Sequence, residues 1–221
     1  MKIEIISDLH FEKKEEIESV KATGGDIIIV AGDVSSDMEI VTSFLNYLAK
    51  NYKAVLFTLG NIELWHKNPQ HSLNKLKNLL KDNIYPLDFL EGVKINGIKF
   101  CGGIYFSKSF LTVKDRERIA SGNTQFFAQL EHTSRINLHK KIKTFNPNII
   151  ITHYPPISTG KLKKIEPTCL KHYNRLWIFG HYHHLSNFFG KDDLNKNTIY
   201  VCNCSNQPIR IEIELTFNHN N

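Results

Sequence analysis

The chain has 221 residues, 41% of them hydrophobic, with glycine and proline scattered rather than clustered; this suits one domain over residues 1–221 and excludes a disordered chain. No apolar run reaches the ~18 residues of a membrane span and the first strand has no small-residue cleavage site, so a cytoplasmic protein without a membrane partner is expected. A formal charge of +6 suits an anionic partner, whether a phosphate ester, a nucleotide or a nucleic acid, and does not choose among them.

Residues 1–6 read as a buried strand that ends abruptly in Ser7, Asp8, Leu9 and His10. Asp8 and His10 are two residues apart, so extended backbone would point both to one side. Residues 11–21 suit a short surface helix before Gly24 and Gly25. The run 26–30 ends in Gly32-Asp33. Residues 37–50 then space Met38, Val41, Phe44, Leu45 and Leu48 as a helix packing back on the sheet. The run 54–59 ends in Gly60-Asn61, and the leucine spacing over 70–81 predicts another helix. This alternation predicts βαβ units with strands covered on both faces.

Residues 87–90, 93–95 and 98–101 are short apolar runs separated by Glu91-Gly92 and Asn96-Gly97, the second a strong hairpin signal, so a more antiparallel sheet is expected to begin there. Over 102–124 the pattern weakens, and Tyr105, Phe106, Phe110, Arg116 and Arg118 interleave with polar residues in what reads as a loop-rich segment over the strand ends. A long helix over 125–145 stops at Pro147. The runs 148–152 and 176–179 end in His153 and in Gly180-His181-Tyr182-His183. Strands over 185–189, 198–202 and 209–215 are expected to complete the second sheet, ahead of a polar tail over 217–221. The basic stretches 139–143 and 161–164 read as solvated faces. Cys101, Cys169, Cys202 and Cys204 lack zinc-ribbon spacing and read as small buried hydrophobes.

Five strands thus end in Asp8 and His10, Asp33, Asn61, His153, and His181 and His183. Ligands of such sheets gather outside the carboxyl ends of the strands. Oxygen donors together with four imidazoles suit a first-row transition metal better than Mg²⁺ or Ca²⁺. Seven donors are too many for one open site and suit two metals sharing a carboxylate.

Asp8-Leu9-His10, Gly32-Asp33, Gly60-Asn61-Ile62-Glu63, His153 and Gly180-His181-Tyr182-His183 resemble, in order, the five blocks of the calcineurin-like metallophosphoesterases. The resemblance implies an α/β fold of two packed mixed β-sheets flanked by helices, a four-layer αββα sandwich. It further implies two divalent transition-metal ions (Mn, Fe or Zn), one held by Asp8, His10 and His183, the other by Asn61, His153 and His181, with Asp33 bridging. The implied activity is hydrolysis of a phosphomonoester or phosphodiester by in-line attack of a metal-bridging hydroxide, a diester with a good leaving group being favoured.

One departure is Ile62, where the family usually has a histidine near the scissile phosphate. His66, one helical turn beyond if a helix starts at Ile62, is the first candidate to replace it, beside Asn61 and His153 as catalytic residues; Tyr154 and Tyr182 follow. The arginine that the family's protein phosphatases carry after Gly-Asp is replaced here by Val34-Ser35-Ser36-Asp37, which argues against a phosphoprotein substrate. Two other readings remain: a scaffold without turnover, suggested by Ile62, and a nuclease of the same family, suggested by the basic charge without a recognisable nucleic-acid module.

Overall fold

The apolar strands are buried on both faces because alternate residues enter different cores. The computed structural model describes the chain apart from residues 66–73, 75, 77–79, 121–123, 167–174, 195, 196 and 214–221. The helix expected over 70–81, His66 and the tail over 217–221 therefore lie wholly or largely outside the described residues. Strands β1 (Lys2–Ser7), β2 (Ile27–Val30), β3 (Ala54–Phe57) and β4 (Ile84–Pro86) form a parallel sheet, with helix α1 (Met38–Leu48) between β2 and β3. Ile6, Ile28, Val30 and Phe57 pack with Val41, Phe44, Leu45 and Leu48 of α1. Their neighbours Ile3, Ile5, Ile27, Ile29 and Leu56 share a second core with Phe100, Ile149, Ile151, Ile178 and Val201 of the other sheet.

That sheet contains β5 (Val93–Ile95), β6 (Ile98–Gly103), β7 (Ile149–Thr152), β8 (Lys163–Lys164), β9 (Arg175–Phe179), β10 (Phe188–Lys191) and β11 (Thr198–Cys202), in the order β5-β6-β7-β9-β11-β10-β8. Asn96 and Gly97 both have positive φ, 48° and 83°, as the two-residue turn between β5 and β6 requires. Between β6 and β7 come helices α2 (Val113–Ala120) and α3 (Thr124–Phe145); Leu138 of α3 covers Cys101 and Ile150 on the outer face. The layers are helix, sheet, sheet and helix, as the resemblance implies. No helix of the described residues is long and apolar enough to cross a membrane.

Several elements differ from the sequence expectation. Residues 87–90 are not a strand of the second sheet: β4 ends at Pro86 in the first sheet and Leu87–Phe89 is a 3-10 turn. There the half-buried Asp88 carboxylate accepts from the amides of Leu59 (2.8 Å) and Ile104 (2.7 Å), so a side chain replaces ladder pairing. The last strand, β12 (Ser205–Glu212), joins the first sheet, antiparallel to β1 with Ile3 opposite Ile211. Asn203 turns the chain across by donating to the carbonyls of Ile5 and Gln207, both at 2.9 Å. Residues 11–21 contain only a 3-10 segment, Lys14–Ser19, in which Ile17 alone is buried. The basic stretch 139–143 is not wholly solvated, because the buried Lys141 Nζ donates to the carbonyls of Leu87 (2.8 Å) and Gly102 (3.1 Å).

On β1, between β12 and β2, Glu4 is buried and accepts from Thr23, Tyr52 and, at 2.5 Å, Arg210 Nη2. Burial pushes its carboxyl pKa up, but the hydrogen bonds from Thr23, Tyr52 and Arg210 outweigh it and hold the group below 4.5. A depressed folded pKa contributes stability that is present above the unfolded value and lost as pH falls through the folded one. Glu4→Gln should therefore cost about 1–3 kcal/mol at pH 7 and flatten the loss of stability below pH 4.5. Urea titrations across pH 3–7 measure both, and parallel acid limbs in wild type and variant would contradict the assignment.

Candidate metal centre

The loops after β1 and β2 are zipped together by backbone bonds from the amides of Asp8 to the Gly32 carbonyl (3.1 Å), His10 to Asp33 (3.1 Å) and Phe11 to Val34 (2.8 Å). The Asp8 carboxylate accepts from the His181 amide at 3.0 and 3.1 Å, joining this pair of loops to the end of β9. Asp8, His10, Asp33 and His181 have φ of 59°, 51°, 56° and 68°. Asp8 and His10 thus converge because both adopt left-handed backbone, not because extended backbone alternates. Such conformations cost of order 1–3 kcal/mol each and persist where the surroundings over-determine them.

The structure brings all seven sequence-selected residues together. Donor atoms of Asp8, His10, Asp33 and His183 lie within 4.8 Å of one another, and so do those of Asp33, His153 and His181. Asp33 belongs to both groups, its Oδ2 3.7 Å from His10 Nε2 and its Oδ1 3.4 Å from His153 Nε2. Asn61 Oδ1 lies 3.0 Å from His153 Nε2 and 3.2 Å from His181 Nδ1. The His10 and His183 Nε2 atoms are 3.1 Å apart. His153 Nδ1 donates to the Ala31 carbonyl at 2.8 Å, and His181 Nε2 to the Phe110 carbonyl at 2.7 Å. Each ring thereby turns its other nitrogen, carrying a lone pair, inward.

Electrostatics single out a cation site. Burial, then the neighbouring Asp8 charge, push the Asp33 carboxyl well above its ordinary range. Burial also acts against Asp8, but hydrogen bonding with His183, the nearby His153 and the Ser7 hydroxyl overcome it and hold that carboxyl low. Burial, then His153, bring His181 down to about 4, leaving a neutral imidazole available as a ligand. The ion-pair partners of Asp8 and Asp33 among the described residues are histidines. Two buried carboxylates that face imidazole lone pairs fit divalent cations, which would neutralise them directly.

Glycines and a buried glutamate make this approach possible. A Cβ on Gly60 would overlap Asp33 Oδ1, one on Gly180 would lie 2.7 Å from Asp8 Oδ2, and one on Gly32, itself at φ +83°, 2.7 Å from His153 Nδ1. Glu63 is fully buried and accepts from the amides of Gly60 (2.7 Å), Val34 (2.7 Å) and Asp33 (3.2 Å). Burial and the Asp33 charge raise its carboxyl to about 7. Glu63 belongs to the Gly60-Asn61-Ile62-Glu63 block, but nothing in the sequence marks this bracing role. Asp115 is not among the residues expected from the sequence: its carboxylate is 2% exposed, accepts from Asn61 Nδ2 at 2.9 Å and fixes which end of the amide faces the histidines. Asp115 sits in α2, inside the segment expected to be loop. Only the spacing of Thr112 and Asp115 signalled that helix, and the two do bond reciprocally at its start.

The centre opens into a cleft of about 890 Å³ whose walls include Ile62, Trp65, Phe110, Arg118 and Tyr182. Tyr105 and Phe106, expected over the strand ends, are instead core residues. The Phe106 amide is held by Ser134 Oγ of α3 (3.1 Å), and its ring packs on Tyr154 and Phe127 at 5.3 and 5.7 Å. Phe110 does line the cleft, its ring 5.9 Å from Tyr182. Tyr154 is fully buried against His181; among the described residues its hydroxyl has no hydrogen-bond partner, and Tyr154 is not among the described lining of the cleft. Ile62 is 3% exposed and its amide donates to Asp33 Oδ1 at 3.1 Å.

The model of the calcineurin-like phosphoesterase family matches residues 1–185. The chain belongs to this family. Calcineurin-like phosphoesterases are metal-dependent, and the chain is a phosphoesterase hydrolase of that kind. Among solved structures it is similar to a phosphopantetheinyl hydrolase from Mycobacterium tuberculosis, at 16% identity and a TM-score of 0.61, over 92% of this chain and 89% of that one. A protein of unknown function from Aquifex aeolicus aligns at 14% identity and a TM-score of 0.33, over 70% of this chain and 81% of that one. No curated protein matches the sequence. The first likeness bears on fold alone.

The cradle predicts that Gly60→Ala and Gly180→Ala each lose about 1–3 kcal/mol through overpacking. Gly160→Ala, whose new Cβ would meet nothing nearer than 3.9 Å, should stay within about 0.5 kcal/mol of wild type. Denaturant titration measures all three, and equal stabilities would remove the close-approach explanation.

Proposed function

We propose that residues 1–221 form one cytoplasmic phosphoesterase domain that holds two divalent transition-metal ions, Mn, Fe or Zn, and hydrolyses a phosphodiester with a good leaving group. The observation that carries this reading is the division of the Asp33 carboxylate, whose two oxygens face different donor groups. Asp8, His10 and His183 would hold one ion and Asn61, His153 and His181 the other, with Asp33 between them. When bound, the ions acidify water and neutralise phosphoryl charge. Free Cys101, Cys202 and Cys204 suit a reducing compartment.

The chain's own residues supply placement. The Ala31 and Phe110 carbonyls set the tautomers of His153 and His181. Asp115 keeps the Asn61 amide oxygen facing both rings. Ile62 packs beside the Asp33 carboxylate and has no proton to give to a departing alkoxide, which is why an ester that leaves as a stabilised anion is favoured.

Elemental analysis of purified protein should find two transition-metal ions per chain, and Asp33→Ala should lose at least one; a single ion in wild type would sink the binuclear reading. Asp115→Asn should weaken the site of Asn61, His153 and His181 by about 10- to 100-fold in metal affinity, with less effect on the other. Adding Asn61→Asp restores a donor-acceptor pair of opposite sense and should recover much of the loss, read by metal titration.

In a series of esters with graded leaving groups, extended to a phosphopantetheinyl ester because the similar fold belongs to such a hydrolase, rates should fall steeply as the leaving group worsens. The penalty should be on the order of 10²–10⁴, the usual worth of a general acid, and Ile62→His should reduce it. A flat series would mean that another group, His66 or Tyr182, already donates. Absence of turnover with every metal would favour the scaffold.

A further inference from the structure

Beyond the metal-capable residues, the cleft is lined by acidic side chains, Glu12, Asp37 and Asp115, and Arg118 is the only arginine or lysine among its described lining residues. The Arg118 guanidinium lies 5.3 Å from the centroid of the Trp65 ring, and both residues face the cleft. Stacking on an indole restrains a long side chain whose planar fork matches the oxygens of a phosphate. Arg118 follows Asp115 by three residues, so both occupy one face of α2, about 4.5 Å apart along its axis. Because Asp115 is bonded to Asn61, the helix that anchors the centre also carries this cation beside it. The cleft, at about 890 Å³, has the size of pockets that enclose a drug-sized ligand, far more than one phosphoryl group needs.

We propose that Arg118, steadied by Trp65, is a second anion site that selects a substrate carrying a further phosphate besides the one hydrolysed. This rests on the phosphoesterase reading, in which the scissile phosphate occupies the metal centre. A singly phosphorylated ester uses only that centre. A second phosphate placed elsewhere along the described walls meets the carboxylates of Glu12 and Asp37 or side chains without a fixed positive charge, whereas at Arg118 it finds a preorganised, charge-assisted partner. Arg118 is thus a specificity residue that acts on binding and leaves the chemical step alone.

The test uses two esters with the same scissile bond: the 5′-(p-nitrophenyl phosphate) of thymidine, and the same compound bearing a 3′-phosphate. Wild type should show a KM about 10-fold or more lower for the doubly phosphorylated ester, the scale of one hydrogen bond to a charged group, with similar kcat. Arg118→Ala should erase that preference, Arg118→Lys should keep part of it, and Trp65→Leu should weaken it, all with metal content and Tm near wild type. Equal KM values in wild type, or a preference that survives Arg118→Ala, would overturn the proposal. Calorimetric binding of thymidine 3′,5′-bisphosphate against the 5′-monophosphate separates the two layers of inference. If neither ester is hydrolysed, the phosphoesterase reading fails, while an Arg118-dependent preference for the bisphosphate still upholds the second site. Equal binding of both nucleotides refutes it. If Arg118→Ala does not fold, the wild-type and Arg118→Lys preferences decide.

Discussion

The buried carboxylate of Asp33 is the constraint around which this molecule is arranged. A charge with almost no solvent contact, near Asp8 and Asp115, is costly unless something positive is brought to it. The fold provides the means from several directions at once: an amide from Ile62 and imidazoles from His10 and His153. It also holds the loop that carries Asp33 through Glu63, a second buried acid whose oxygens collect the amides of Gly60, Asp33 and Val34. The sheets need only bring their strand ends level for these groups to meet.

Strained backbone is tolerable here because it is braced. The left-handed turns at Asp8, His10 and Asp33 lie where the first two loops are cross-linked by main-chain bonds, and His181 is pinned by its own amide to Asp8. The brace from His181 to Asp8 joins the two sheets across 173 residues of sequence, so the full geometry forms only when both sheets have packed. The core shared by Ile3, Ile29, Ile151 and Ile178 therefore positions the chemistry as directly as any polar contact does.

What could be read in the sequence was what repeats. An apolar run that ends in Asp, His or Asn is a local pattern, and its recurrence betrayed the sheet end that carries the site. Ile27–Val30, Ile149–Thr152 and the Asn96-Gly97 turn needed no tertiary knowledge. Features settled by partners far along the chain left weaker marks. The strand β12 has an alternating pattern that fits either sheet, and the side chain of Asn203, 198 residues from Ile5, decides between them. Helix α2 is a charged segment without an apolar stripe, so its Asp115 resembled any surface acid until Asn61 was found against it. Tyr105 and Phe106 follow a strand end as a substrate platform would, but the path beneath α3 takes them into the core.

Gly32, Gly60 and Gly180 have a consequence for how a lineage could lose such a centre. They supply no donor atom, yet one added methyl group would displace a carboxylate or an imidazole. A descendant could therefore retain every coordinating residue and still be unable to assemble the centre. Judging whether a related chain is alive or vestigial by its Asp, His and Asn residues would pass such a descendant as intact. The more telling positions are those with no side chain, where selection acts on empty space.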